Sequence, residues 1–485
     1  MSAPRSIAWS LGGQLATTAA SMVSTVILGR ILTPTDFGAF AFAATIYSVV
    51  QWLLQIGMFQ YLMREAEVTR EKLNGAYAMT CAQGLVGSLI VVLLAPAAGW
   101  FSNFAAIGWV TLSVAVVPFL GSPEGICDAM WLREGRYASI ALLQAGKAAV
   151  QSIVSIAVQW QFHVGPYALA AGLLAGSLTS FGVSTASLVA RHGARPFTTR
   201  EQWRIVQGFG GRSFALTLAQ IGSMRVPDLL IARLLSVFIL GHYNRATAAI
   251  DVFGRTMSGS IVRASAPTFY REVNEGRPLP DAVGDFCNLL LFFVWPSVAG
   301  IAILSAPLVH LLYGPQWDIA ARVLPLLCLT FAIDAARTGG METLLIRDRL
   351  GLNARLEAAH AIYAIAFVIV AARWGLEAVL WARVADSTLT MLLYFRVMHR
   401  LDGLPLGALP RIFGINALLA AAAAAPGYLL LSHWAWPRQL LFGQYAAVIG
   451  GGMLAWVALL IAIRHPYLAR GRQIVSRRLG RSLAA

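Results

Sequence analysis

Apolar residues run through this chain in long blocks separated by short stretches rich in Gly, Pro, Arg and Asp. At about 20 residues per bilayer crossing, fourteen blocks are long enough to span as helices. They lie near 8–29, 38–58, 74–98, 105–121, 138–159, 166–190, 208–233, 238–262, 284–311, 319–340, 355–372, 375–397, 411–431 and 441–463; a count of twelve is the alternative. Polar positions inside four of these blocks recur at helical spacing. The first carries Gln14, Thr17, Thr18, Ser21, Ser24 and Thr25, and the second Tyr47, Gln51 and Gln55. The seventh carries Thr217, Gln220, Ser223, Arg225 and Asp228, and the eighth Asn244, Asp251, Arg255 and Ser258. Such side chains can bond to their own backbone or join neighbouring helices. Their recurrence at corresponding places in four blocks points to a shared water-filled cavity.

Composition agrees with the pattern. Of 485 residues, 58% are hydrophobic and 12% charged, with a mean hydropathy of +0.67. A soluble domain has about twice that charge density, so the fold class is all-α and polytopic in a membrane. The net charge of +15 would suggest nucleic acid in a soluble protein, but its distribution argues against that partner. Of the Lys and Arg residues, 26 fall in loops or at block ends on the side of the N-terminus and 4 on the other side. By the positive-inside rule both termini are cytoplasmic. Cys81, Cys127, Cys287 and Cys328 stand singly with no C-x-x-C pair, so neither zinc nor a disulfide framework is indicated. The N-terminal segment is too polar for a cleaved signal peptide and reads as the first spanning helix.

Charges inside the blocks cost at least a few kcal/mol each unless they face a polar cavity or a partner. Lys147, Arg225, Arg245, Arg255, Arg337 and Arg383 outnumber Asp228, Asp251, Asp334 and Asp386 by two, so the cavity should attract an anion. Four pairs stand one turn apart: Arg225 with Asp228, Asp251 with Arg255, Asp334 with Arg337, and Arg383 with Asp386. Each can neutralise itself as a structural unit. Pro227 should kink the seventh helix beside this cluster.

The chain also repeats. GRILTPTDFGAFAFA (Gly29–Ala43) and ARLLSVFILGHYNRA (Ala232–Ala246) align at an offset of 203, matching Arg30 with Arg233, Leu32 with Leu235 and Gly38 with Gly241. Each copy sits at the turn between the first two helices of a six-helix block. Two blocks of six would be parallel repeats about an axis along the membrane normal. The expected domains are an N-terminal six-helix lobe (1–200), a C-terminal six-helix lobe (201–400), and two appended helices with a basic cytoplasmic tail (401–485).

These residues resemble a family. LGRILTPTDFGAFAFA is similar to the first-turn signature of the polysaccharide transporter family, the Wzx-type flippases. LGHYNRA (Leu240–Ala246) resembles its second-lobe turn, and APLVHLLYGPQWDIAARVLPLL (Ala306–Leu327) its P-x-V-x-L-L-x-G-x-x-W stretch. The resemblance covers residues 1–400 better than the last two helices. It implies membership of the multidrug/oligosaccharidyl-lipid/polysaccharide exporter superfamily, alternating access between two lobes, and a cationic cavity lined by helices 1, 2, 7 and 8. The implied cargo is an undecaprenyl-diphosphate-linked oligosaccharide moved to the periplasmic leaflet for exopolysaccharide, capsule or O-antigen assembly. Guanidinium groups suit the diphosphate oxygens. The substrate role therefore falls first on Arg225, Arg245 and Arg255, then on Lys147 and Arg337, while Asp228 and Asp251 bind a coupling ion or hold the arginines. Membrane lipids are implied partners, with a polymerase and assembly proteins as further candidates; no cofactor is implied.

A cation-coupled multidrug antiporter on the same fold is the alternative, but it would want acidic dominance in the cavity. An enzyme is not expected. No external loop is long enough to fold as a domain, and H-E-x-x-H, G-x-S-x-G and Walker A patterns are absent. His310 and His360 stand alone and read as packing or interface residues rather than ligands. The basic stretch Arg470–Arg481 reads as an anchor at anionic headgroups, or as a docking site for assembly enzymes.

Overall fold

The computed structural model describes residues 3–54, 57–197, 211–251, 256–275, 277–347, 349–405, 407 and 409–464. Among them the regular structure is helical. Helix covers the centre of every expected block, and ten helices are long and apolar enough to cross a membrane. Local sequence explains the boundaries. Thr33 caps the Pro34–Leu54 helix: its hydroxyl accepts from the Asp36 N–H at 3.2 Å, while the Asp36 carboxylate accepts from the Thr33 N–H at 3.0 Å. Pro34 occupies the first helical position, where its missing N–H costs nothing.

Helix Arg70–Phe101 is built for lipid. Its buried side is small, with Gly84, Gly87, Ala95 and Ala98, whereas Leu85, Leu89 and Leu93 are 64%, 57% and 68% exposed. Small residues inward and large apolar residues outward suit helices whose surroundings are themselves apolar.

Two blocks depart from their expected form. The fourth continues past residue 121 through Ser122–Arg133, so Glu124 and Asp128 belong to a helix rather than a loop. The seventh divides, as Pro227 requires, into Gly211–Met224 and Val226–Leu234. At the break the Leu229 N–H reaches the Arg225 carbonyl only at 3.5 Å.

The chain separates into two compact units. The first comprises Met1–Arg245, Leu312–Trp317 and Arg349–Asp386. One part of its core gathers Tyr61, Leu62, Leu73, Tyr77, Ile126 and Trp131, and another Val110, Val114, Ala170 and Leu173. The second comprises Ala246–Leu311, Asp318–Asp348 and Ser387–Ala485, with a core that includes Phe269, Val283, Phe286, Phe395 and Met398. Within it the Leu409–His433 helix is fastened by Asn416, which donates to the Asn288 side-chain oxygen at 2.7 Å.

Inside the first unit the two copies of the repeat meet. A β-carbon on Gly38 would strike the Val237 carbonyl and lie 3.0 Å from the Gly241 nitrogen. A β-carbon on Gly241 would strike the Pro34 carbonyl and lie 3.1 Å from the Gly38 nitrogen. Pro34 and Val237, like Gly38 and Gly241, are 203 positions apart. The contact is therefore reciprocal, as across a local two-fold axis, and only glycine at both positions lets the backbones approach so closely.

Candidate functional site

The three stretches that carry the family resemblance come together around Trp317 and Arg245. The indole of Trp317 is fully buried and donates to the Gly29 carbonyl at 2.8 Å. Gln316 donates to the carbonyls of Gly29 and Leu32 at 2.8 and 3.0 Å. The 312–317 segment thus satisfies carbonyls at the C-terminus of the first helix, which has no further turn to bond them. Phe37, His242 and Tyr313 pack edge-on against Trp317, with ring centroids 5.5, 5.2 and 6.0 Å away.

Arg245 lies beside this aromatic cluster. Its guanidinium carbon is 4.2 Å from the Phe37 ring centroid and 5.9 Å from that of Tyr313. Its Nη2 donates to the Asn244 side-chain oxygen at 2.8 Å, and its Nε is buried without a hydrogen-bond partner. Among the described residues no carboxylate pairs with it. Stacking on a ring face stabilises a guanidinium by about 0.5–2 kcal/mol and engages none of its in-plane donors, of which Nη2 is met by Asn244.

Those donors border a cavity of about 140 Å³ within the first unit, lined in part by Ser21, Ser24, Thr25, Gln151, Ser152 and Arg245. Half of the first-helix stripe therefore faces the cavity, as expected. Thr17 instead bonds to the Gly13 carbonyl of its own helix at 2.8 Å. The fifth-block residues Gln151 and Ser152 were not anticipated. Their spacing on Tyr137–Phe162 was the available signal, since Ser152 and Ser155 fall on one face with Gln151 beside them.

The other candidates divide. Arg225 lies over Trp52 at 5.1 Å and is 4.0 Å from Asp228, the outer limit of an ion pair. The contact joins the residue at the break to the first turn of the Val226–Leu234 helix. Arg337 meets Asp334 at 3.3 Å within the second unit. Arg255 lies outside the described residues, and Asp251 is half-buried at the end of the described part of its helix. Lys147 departs from the expected cargo role. Its ammonium donates to Glu124 at 2.7 Å, and the same carboxylate accepts from Ser180 at 2.7 Å and Gln144 at 2.9 Å. With the fourth block ending at residue 121, Glu124 falls in a loop and Lys147 counts as a cavity cation; the extended fourth helix supplies its counter-charge.

A second buried ionic group was missed. His360 on Leu350–Ala371 lies 2.9 Å from Asp386 and 3.6 Å from Glu357, and Arg383 lies 3.3 Å from Asp386. His360 is thus buried beside two carboxylates. Its i,i+3 spacing from Glu357 was visible in the sequence, but the Asp386 contact depends on the neighbouring helix.

Residues 27–322 match the polysaccharide biosynthesis protein family. The chain belongs to that family. The matched region contains the first two converging stretches and the third as far as Arg322. Among family relatives, the succinoglycan biosynthesis transport protein ExoT of Rhizobium meliloti (strain 1021) is 21% identical over 331 residues, covering 68% of this chain and 66% of that protein. The lipopolysaccharide biosynthesis protein WzxC of Escherichia coli (strain K12) is 22% identical over 316 residues, covering 64% and 62%. The chain spans about two thirds of the length of these relatives. Its fold is that of the lipid II flippase MurJ in its inward closed conformation, with a TM-score of 0.74 over 94% of this chain and 99% of that one at 12% identity. This family membership and its apolar helices make the protein a multi-pass membrane protein.

Proposed function

We propose that the protein is a flippase that carries an undecaprenyl-diphosphate-linked oligosaccharide from the cytoplasmic to the periplasmic leaflet by alternating access. In this reading it crosses a bacterial inner membrane fourteen times with both termini in the cytoplasm. Two six-helix lobes, 1–200 and 201–400, carry the transport, and residues 401–485 form the appended helices and tail. The observation that carries the proposal is Arg245: a guanidinium stacked on Phe37, without a carboxylate partner among the described residues, at the edge of a hydroxyl-lined cavity. A cation held this way has donors to spare for an oxyanion, and its planar fork matches phosphate oxygens. Hydroxyl and amide side chains such as Ser21, Ser24 and Gln151 suit the hydroxyls of a sugar. Arg225 is the second cargo contact, since Asp228 touches it only at 4.0 Å; Arg255 remains a candidate for the same role.

The test is reconstitution of the full chain in liposomes with a fluorescent lipid-diphosphate oligosaccharide on one leaflet. Movement should occur with wild type and fall sharply with Arg245→Ala, while a neutral lipid-linked sugar without diphosphate moves in neither. Equal movement of the neutral lipid by wild type would overturn the anion reading.

A further inference from the structure

His310, on the Ser305–Tyr313 helix of the second unit, is 4% exposed and hydrogen-bonded at both ring nitrogens. Nδ1 lies 3.1 Å from the Arg438 carbonyl oxygen, and Nε2 lies 2.8 Å from Asp318 Oδ1. Both partners only accept: one is a backbone carbonyl, the other an ionised carboxylate that also lies 3.4 Å from the Arg438 guanidinium. A neutral imidazole has one N–H and one lone pair, so it satisfies one of these oxygens and turns a lone pair to the other. Only the imidazolium donates to both.

This side chain joins three parts of the second unit: its own helix, the first residue of Asp318–Ile346, and the 434–441 connection between Leu409–His433 and Phe442–Ala462. The connection needs a hold, because Ala435 and Trp436 are both left-handed, with φ of 56° and 51°, where residues with a β-carbon are uncommon. His310 and Asp318 also flank the Leu312–Trp317 segment, so their bond closes the base of the loop that carries Tyr313, Gln316 and Trp317. Within the first unit that segment bonds the Gly29 and Leu32 carbonyls and sets Tyr313 5.9 Å from the Arg245 guanidinium. The other titratable groups nearby are few. Tyr445 donates to the Pro307 carbonyl at 2.8 Å, Arg322 stands one turn beyond Asp318 and is exposed, His433 is exposed at the end of its helix, and Arg30 lies beside Gly314.

Histidine ordinarily gains and loses its proton between about pH 5 and 8. When the proton is lost, the remaining hydrogen stays toward the Asp318 carboxylate, the stronger acceptor, and the Arg438 carbonyl loses its donor. The hold is complete at low pH and weakens as pH rises. We propose that His310 is a positioning residue whose proton fastens the 434–441 connection to the base of the Leu312–Trp317 segment, and so sets how firmly that segment grips the first helix beside Arg245. The clasp stands on its own geometry; its effect on transport rests on the flippase reading.

Two measurements separate these. In the first, a spin label on Gln439→Cys, an exposed position in the connection, is followed in the purified full chain in lipid nanodiscs, with the unsubstituted chain as background. Between about pH 5 and 8 the label should pass from immobile to mobile on the wild-type background. It should stay mobile throughout in His310→Gln and immobile throughout in His310→Arg, which keeps a charged donor. Mobility indifferent to pH without a second substitution, or the same pH response in both variants, would overturn the clasp. Should one variant not fold, the other and the His310 series decide. In the second, flipping of the lipid-diphosphate oligosaccharide is measured with pH varied only on the face that carries Arg438. Wild type should flip more slowly at the acidic end, on the order of tenfold for one charge-assisted bond, and neither variant should respond. A wild-type rate indifferent to that pH, or a variant that keeps the wild-type response, would overturn the positioning role. Absence of any flipping by wild type would refute the transport reading, while the spin label still decides the clasp.

Discussion

Arg245 concentrates the chemistry at the residue scale. Its stacking on Phe37 fixes the guanidinium plane, so the charge is presented in one direction rather than averaged over rotamers. A charge-assisted contact of this kind contributes about 1.5–3 kcal/mol. Arg245→Ala should therefore weaken apparent affinity for a diphosphate lipid on the order of tenfold to a hundredfold, read as a rightward shift in the flipping concentration dependence. Arg245→Lys should recover part of this, since an ammonium keeps the charge but loses the fork. The opposite pattern is expected at Lys147. Lys147→Ala strands Glu124, now held only by Ser180 and Gln144, and breaking a buried pair from one side costs about 3–5 kcal/mol. The variant should lose thermal stability, and the double variant Lys147→Ala with Glu124→Gln should regain most of it. Arg245 was legible in the sequence because a lone cation in an apolar block has few explanations. The Lys147 role was not, because it depends on where the fourth helix ends.

The seam between Pro34–Leu54 and Val237–Ile250 shows how one short motif serves several purposes at the scale of elements. In L-T-P-T-D-F-G, Thr33 and Asp36 cap the helix, Pro34 starts it, Phe37 supports Trp317 and Arg245, and Gly38 admits the second copy. The repeat at an offset of 203 was legible for the same reason: both copies need glycine where they cross. The part played by Trp317 was not legible, because its partner Gly29 is 288 residues away and no periodicity reports such a distance. Gly38→Val should make the seam overpacked. That typically costs about 1–3 kcal/mol, and the cost applies only to the conformation in which the seam is closed. The population should shift away from that state. A cysteine placed at Thr25, inside the cavity, should then react faster with a membrane-impermeant thiol reagent in Gly38→Val than in the parent. An unchanged rate with intact folding would mean that the seam does not govern access.

Sidedness belongs to the molecule as a whole, and it rests on charge rather than on any contact. Lysine and arginine stand 26 to 4 in favour of one face, an asymmetry that arises because basic loops resist translocation. The fold is indifferent to this: the same helices would pack equally well in an inverted molecule. Orientation therefore needs its own measurement, and the native thiols permit it. Cys127, Cys287 and Cys328 are buried and Cys81 half-buried, so a bulky charged maleimide should report mainly on cysteines introduced at exposed positions. Phe197 and Leu441 are 77% and 76% exposed. The first lies in the connection after the sixth block, and the second caps the start of the fourteenth helix. With a cytoplasmic N-terminus and fourteen crossings, seven crossings separate them, so they fall on opposite faces. Leu441→Cys should react in intact spheroplasts, and Phe197→Cys only after the membrane is opened. Reaction of both from one side would require an even number of crossings between them and would rule out fourteen. Reaction in the reverse order would keep the count but invert the protein, sending the proposed cargo path the wrong way.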